Sequence, residues 1–153
     1  MSVERDLLDP ARSPMVKICG VRTPADLEVC ADAGVDAVGL VFAPGSPREL
    51  GPAELVDLIT EMPDELEPIG LFVDPATDLL EAWPGAWIQL HGDESAARVT
   101  AIAAETGHRI IKAFPFDPDD CRRWDEHPDV EILLIDGPRG GSGEPFDHAA
   151  LAP

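Results

Sequence analysis

The chain has 153 residues, of which 44% are hydrophobic, and this is enough for one domain with a core of its own. Its formal net charge is −19, from 30 acidic and 11 basic side chains, which argues against binding to nucleic acid or to an anionic membrane. The acids are spread along the whole chain, and the two lysines are Lys17 and Lys112. A distributed acidic surface with so little lysine is typical of a protein from a high-salt cytoplasm, where counterions screen the repulsion.

The three cysteines, Cys19, Cys30 and Cys121, are too scattered for a disulfide framework and show no zinc-binding spacing. They indicate a reducing, cytoplasmic compartment. No apolar run approaches the roughly 20 residues of a membrane span. Residues 1–14 are charged and lack a signal-peptide core, so we interpret them as a loose extension, with Met15 as an alternative start and residues 15–153 as the domain.

Short apolar strands alternate with amphipathic helices along the chain. The predicted strands cover residues 15–18, 37–42, 69–73, 87–90, 110–113 and 131–135. The predicted helices cover residues 24–33, 52–62, 77–82, 93–106 and 118–126, and a sixth begins near the end of the chain. Thr23 and Asp117 are expected to cap the first and fifth helices, and Gly34 to end the first.

This regular βα repeat, with strands that are apolar on both faces, predicts parallel strands covered on both sides. Two architectures fit it, a (β/α)₈ barrel and an open doubly wound sheet. No G-x-G-x-x-G follows the first strand, which leaves a dinucleotide fold unsupported and weakens a flavodoxin-like binding module. Polar residues at nearly every strand's carboxyl end favour the barrel, although six units cannot close eight strands.

Two residues at strand ends are candidates for a base and an acid. Cys19 follows the first strand, and a thiol acts as a base when a cation or a helix N-terminus favours the thiolate. Lys17, Arg22 and the helix at Pro24 are candidate sources. Asp136 follows five mostly apolar residues, and burial keeps a carboxyl protonated as an acid must be. The structural alternatives are a small core cysteine and an Asx-turn aspartate.

Three further polar residues are candidate substrate contacts. Arg48, in the loop after the second strand, can grip a carboxylate or a phosphate, or it is an ordinary surface arginine. Gln89 and His91 share one face of the fourth strand's end, or they are a buried amide and an exposed histidine. The loop 140–143, Gly-Gly-Ser-Gly, offers backbone N–H groups to an anion, but the signal is weak alone. The remaining histidines show no ligand spacing and receive no role.

Taken together, the motifs resemble phosphoribosylanthranilate isomerase, an enzyme family of tryptophan biosynthesis. The resemblance covers Val16 to Asp147, and the matching segments stand in the family's order: V-K-I-C-G at 16–20, D-A-V-G-L-V-F at 36–42, S-P-R at 46–48, G-L-F-V at 70–73, I-Q-L-H-G-D-E at 88–94, I-K-A at 111–113, L-L-I-D at 133–136, and G-G-S-G followed by F-D at 140–147.

The resemblance implies a (β/α)₈ barrel and an Amadori rearrangement. N-(5'-phosphoribosyl)anthranilate, an aminoaldose, would become the aminoketose 1-(2-carboxyphenylamino)-1-deoxyribulose 5-phosphate. It further implies that Cys19 is the general base, that Asp136 is the general acid, and that Arg48 steadies the anthranilate end. Gln89 and His91 match pocket positions. No metal and no organic cofactor are expected, because the substrate's own amine forms the Schiff base; the expected partner is the small phosphorylated substrate.

The sequence also departs from the family pattern. Glu144-Pro145 stands where a lysine and a threonine are usual, and His148 replaces a tryptophan. The family continues through a seventh and an eighth strand with a phosphate site, and neither is present in these residues. We therefore expect six βα units, with sheet edges open to self-association. The alternative function is a non-catalytic remnant or fragment of the same enzyme.

Overall fold

The computed structural model describes residues 7–9, 11, 14–137 and 147–151, and these contain six β-strands that alternate with helices. The strands are β1 (Lys17–Cys19), β2 (Ala37–Val41), β3 (Glu67–Phe72), β4 (Trp87–Leu90), β5 (Arg109–Pro115) and β6 (Ile132–Asp136). The helices are α1 (Pro24–Asp32), α2 (Pro52–Thr60), α3 (Thr77–Glu81), α4 (Ala96–Thr106) and α5 (Pro118–Asp125), and a 3₁₀ turn covers His148–Leu151. The six predicted strands and the first five predicted helices are confirmed, with ends that shift by a few residues, whereas a 3₁₀ turn lies where the sixth helix is expected to begin.

The described residues fall into two compact units. The first contains the chain up to Phe72 together with Pro84–Ala86, and the second contains Val73–Trp83 and the chain from Trp87 onward. The prediction of a loose extension over residues 1–14 falls mostly outside the described residues and stays a prediction. The predicted glycine-rich loop at 140–143 also lies outside them.

In the first unit, β2 is the central strand. It pairs in parallel with β1, which places Cys19 opposite Gly39, and with β3, which places Val41 opposite Leu71. All five residues of β2 are buried. Because β2 has a strand on each side, the flavodoxin-like order 2-1-3, in which the second strand lies at an edge, is excluded.

The first strand is confirmed, but the prediction that it is buried is wrong. Val16 and Ile18 are 45% and 43% exposed. Within the described residues β1 pairs with β2 alone, so part of its apolar surface has no neighbouring strand to cover it. An apolar sequence indicates that a strand prefers burial, but its neighbours decide how much burial it receives.

In the second unit, β5 is the central strand and pairs in parallel with β4 and β6. The register places Leu90 opposite Lys112 on one side and Pro115 opposite Asp136 on the other. The largest fully buried side chains here are Trp87 and Trp124. The pairings bring the carboxyl ends of three strands to one edge, where parallel α/β folds place their chemistry.

Local sequence explains where the helices begin. Thr23 accepts a hydrogen bond from the backbone N–H of Asp26, whose carboxylate accepts one from the N–H of Thr23, so a capping box starts α1 as predicted. Asp117 caps α5 in the predicted way. The predicted start of α4 at Asp93 is wrong, because Ser95 is the capping residue and the helix begins at Ala96. Residues 93–95 therefore belong to the loop after β4, and this loop contributes to the site described below.

No helix among the described residues is long and apolar enough to cross a membrane.

Candidate functional site

Cys19 is the last residue of β1 and lies half-buried over a glycine of the neighbouring strand. A Cβ atom on Gly39 would lie 3.1 Å from the Cys19 sulfur and 3.1 Å from the Lys17 ammonium nitrogen. Both side chains therefore occupy the space that a side chain at residue 39 would need, as expected of alternate residues on one strand face. The structure thus places a cation and the candidate base side by side on Gly39.

Arg48 comes from the loop after β2 and reaches the same strand end. Its Nη1 donates a hydrogen bond to the Cys19 carbonyl oxygen at 3.2 Å. Gly20 makes this approach possible, because its φ is +87° and a Cβ there would overlap the Arg48 side chain. The Arg48 side chain is otherwise exposed. The predicted residues of the first unit, Cys19 and Arg48, are therefore brought together.

The other two cysteines are poor candidates for a base. Cys30 is buried on α1, and burial, with a smaller contribution from the Asp26 carboxylate, raises the pKa of its thiol above the usual 9.0. Its thiolate is therefore disfavoured. Cys121 lies within α5 and not at the end of a strand.

In the second unit, the structure brings together the other three predicted residues. His91 Nε2 lies 2.9 Å from Asp136 Oδ2, and both side chains are about a quarter exposed, at 28% and 26%. Gln89 Nε2 lies 3.4 Å from His91 Nδ1, and Gln89 is buried. Gln89 of β4 and His91, which follows the strand, thus form a hydrogen-bonded series that ends on the candidate acid.

A buried ion pair lies beside this series. Lys112 Nζ is 2.8 Å from Glu94 Oε2, and the two side chains are only 3% and 1% exposed. Lys112 also donates to the carbonyl oxygen of Gly92 at 2.9 Å. Glu94 accepts from the backbone N–H of Gly92 at 3.1 Å and from that of Asp74 at 2.9 Å. The pair therefore joins β5 to the loops that follow β3 and β4.

Gly92, in the loop after β4, packs closely against Asp74, in the loop after β3. A Cβ on Gly92 would lie 2.7 Å from the backbone nitrogen and the carboxyl group of Asp74. Asp74 itself has a φ of +45°, in the left-handed region that non-glycine residues seldom occupy. The Glu94 carboxylate, which binds the N–H of Asp74, helps to hold this backbone shape.

Lys112 lies in the predicted fifth strand, but its pairing with Glu94 was not predicted from the sequence. A signal was present, because a lysine inside the apolar run of β5 must have a partner if it is buried. The identity of that partner was beyond the sequence, since Glu94 precedes Lys112 by 18 residues and meets it only through parallel pairing of β4 with β5.

The second unit also contains a cavity of about 420 Å³. Its polar lining includes two members of the series, both members of the ion pair and two charged residues of α5: His91, Asp136, Glu94, Lys112, Asp120 and Arg123. This volume suits a small metabolite, and convergent polar groups are what a binding site requires. The described residues contain no group of three histidine, cysteine or carboxylate side chains that could hold a metal ion.

Comparison with known proteins agrees with the architecture. Residues 16–152 match the family described as N-(5'-phosphoribosyl)anthranilate isomerase. The isomerase of Paracoccus denitrificans is 40% identical over 150 residues, which cover 90% of this chain and 70% of that protein. The crystal structure of the Thermus thermophilus isomerase superposes with a TM-score of 0.77 at 32% identity and covers 88% of this chain and 68% of that one.

A further similar structure was solved with a bound ligand. It is a phosphoribosylanthranilate isomerase in complex with reduced 1-(o-carboxyphenylamino)-1-deoxyribulose 5-phosphate, with a TM-score of 0.69 at 29% identity, and the match covers 80% of this chain and 64% of that one. The six βα units of the present chain correspond to this (β/α)₈-barrel lineage, so the predicted fold class is confirmed. The chain belongs to the N-(5'-phosphoribosyl)anthranilate isomerase family.

Proposed function

We propose that this chain isomerises N-(5'-phosphoribosyl)anthranilate to 1-(2-carboxyphenylamino)-1-deoxyribulose 5-phosphate in tryptophan biosynthesis. The observation that carries the proposal is the match to the isomerase family over residues 16–152, in a chain whose second unit has a cavity next to the hydrogen-bonded Asp136. The relatives named above are all isomerases, which favours catalysis over a non-catalytic remnant.

The reaction needs one acid and one base. Asp136 gives a proton to the ring oxygen of the ribose while the anthranilate nitrogen forms the Schiff base and the C–O bond of the furanose breaks. Cys19, as the thiolate, takes the proton from C2, and the resulting enolamine becomes the ketone as C1 gains a proton and the C2 hydroxyl loses one. The support for Cys19 is its place at the end of β1 beside the Lys17 cation.

Arg48 serves the anthranilate end in this proposal. A guanidinium presents five N–H donors in a fixed fork, which suits a planar carboxylate. One of these donors binds the Cys19 carbonyl oxygen at 3.2 Å. A carboxylate bound by the remaining donors would therefore be linked, through Arg48, to the backbone of Cys19. His91 lines the cavity together with Asp136, and Gln89 is buried behind it.

The test is turnover, followed as the loss of substrate fluorescence. We expect Cys19→Ala and Asp136→Asn each to lower kcat by about 10²–10⁴-fold, the usual contribution of one proton transfer, while binding of a product analogue persists. Cys121→Ala is the matched control, because it removes another half-buried thiol that belongs to a helix and not to a strand end. Absence of turnover in the parent chain, or unchanged turnover in both variants, would contradict the proposal.

The proposed working environment of the enzyme is a cytoplasm of high salt. The net charge of −19 with two lysines supports it.

Self-association is also proposed, because within the described residues β1 pairs with β2 alone and β6 with β5 alone, which leaves an open edge on each strand. Sedimentation velocity over a concentration series measures it, and a monomer at every concentration would rule it out.

A further inference from the structure

The contacts of His91 favour one position for its ring hydrogen. Gln89 Nε2 is an amide nitrogen, which carries hydrogens and can only donate, and it lies 3.4 Å from His91 Nδ1. This contact is a hydrogen bond when Nδ1 accepts, and a neutral imidazole then has its one hydrogen on the other nitrogen. That nitrogen, Nε2, lies 2.9 Å from Asp136 Oδ2. The direction of the series is thus from Gln89 to His91 to Asp136.

The burial of the three side chains agrees with this order. Gln89 is 2% exposed, so it reaches a substrate less readily than it reaches the imidazole next to it. His91 and Asp136 are each about a quarter exposed and line the cavity. Four of the charged residues in the cavity wall form two ion pairs, Lys112 with Glu94 at 2.8 Å and Arg123 with Asp120 at 3.0 Å, and the wall also contains Asp74 and Asp93. His91 is therefore well placed to act on Asp136.

We propose that Gln89 and His91 are positioning residues that act through Asp136, rather than substrate contacts. His91 Nε2–H binds Oδ2, fixes the rotamer of the carboxyl group, and leaves Oδ1 as the oxygen that carries the transferred proton. When the Oδ1–H bond breaks and the proton passes to the ring oxygen of the substrate, the new carboxylate keeps its hydrogen bond from Nε2. That bond strengthens as the charge develops, because donors to a carboxylate bind more strongly than donors to a neutral carboxyl. This inference rests on the proposed isomerase function.

The first test separates positioning from substrate binding. We expect His91→Leu to lower kcat by about 10²-fold, the size of effect that a misplaced reacting group produces, with KM changed less than about 3-fold. His91→Gln, which keeps an N–H donor at a similar reach, should recover at least about 10-fold of that loss. A rise in KM with kcat unchanged, or equal kcat for the Leu and Gln variants, would overturn the inference.

The second test does not depend on activity. Side-chain ¹⁵N–¹H NMR of the full chain reports the tautomer of each histidine, and His91→Leu identifies the His91 signals among the four histidines. We expect the Nε2–H tautomer in the parent chain, and in Gln89→Glu a change to a ring with a hydrogen on Nδ1, because a carboxylate there accepts instead of donating. An Nδ1–H tautomer in the parent chain would refute the inference. A parent chain with the expected tautomer but no turnover would refute the isomerase proposal instead and, with it, the positioning role, while leaving the hydrogen-bonded series established.

Discussion

Replacing Lys112 by methionine tests what the buried ion pair contributes to stability. Methionine keeps most of the apolar length of the lysine stem but removes the ammonium group that lies 2.8 Å from Glu94 Oε2. The Glu94 carboxylate, only 1% exposed, would then be buried without its cation. Removing one partner of a buried pair typically costs about 3–5 kcal/mol, because the remaining charge is left uncompensated.

The structure places the expected loss at the lower end of that range. Glu94 would keep the backbone N–H of Gly92 at 3.1 Å and that of Asp74 at 2.9 Å, and hydrogen bonds to a charged group offset part of its desolvation. We therefore expect Lys112→Met to lower the free energy of unfolding by about 3 kcal/mol. For a chain of this length each kcal/mol lowers the midpoint by about 2–4 °C, so thermal unfolding should occur about 6–12 °C lower.

Urea denaturation and thermal melts, followed by circular dichroism, provide the measurement. Arg122→Gln is the matched control, because it breaks the Arg122–Asp119 pair, whose side chains are 69% and 89% exposed, and such pairs contribute at most about 1 kcal/mol. Adding Glu94→Gln to Lys112→Met should cost less than the sum of the two single changes, by about 1–3 kcal/mol. Strict additivity, or a Lys112→Met loss no larger than the control's, would show that the pair stabilises little.

Three further outcomes are expected. Gly92→Ala should lower the thermal midpoint by an amount corresponding to about 1–3 kcal/mol, because its Cβ would lie 2.7 Å from Asp74, whereas Gly51→Ala, whose close neighbour is the movable end of the Glu54 side chain, should cost less. A hydrogen bond from Thr23, aided by the Arg22 and Thr23 backbone N–H groups, holds the pKa of Asp26 below 3.8. The carboxylate thus stabilises the fold above that pH, so Asp26→Asn should melt lower than the parent at pH 7, and the gap should close as the pH falls below 3.8. A gap that persists in acid would argue against this capping charge. Finally, the net charge of −19 predicts a higher midpoint in molar potassium chloride, where the Debye length is roughly 3 Å, than at low salt; an unchanged midpoint would contradict it.

The sequence predicted the alternation of strands and helices because the signals for it are local. Apolar runs such as that of β4 and caps such as Thr23 and Asp117 act through neighbouring residues, and both caps are confirmed. Asp93 and Ser95 are both good capping residues within the same turn, so the local sequence does not decide which of them begins α4. The exposure of Ile18 was unpredictable by this route, since burial depends on which strands lie beside β1.

For the site, the sequence by itself determined which residues follow strands, and therefore that Cys19, Gln89, His91 and Asp136 lie at strand ends. The tertiary structure alone decided the contacts among them. His91 meets Asp136 across 45 positions of chain, and Glu94 meets Lys112 across 18, because the parallel register of β4, β5 and β6 brings those atoms together. A sequence pattern constrains the type and direction of each side chain, whereas a distance between two side chains depends on how separate strands pair, and no local pattern encodes that pairing.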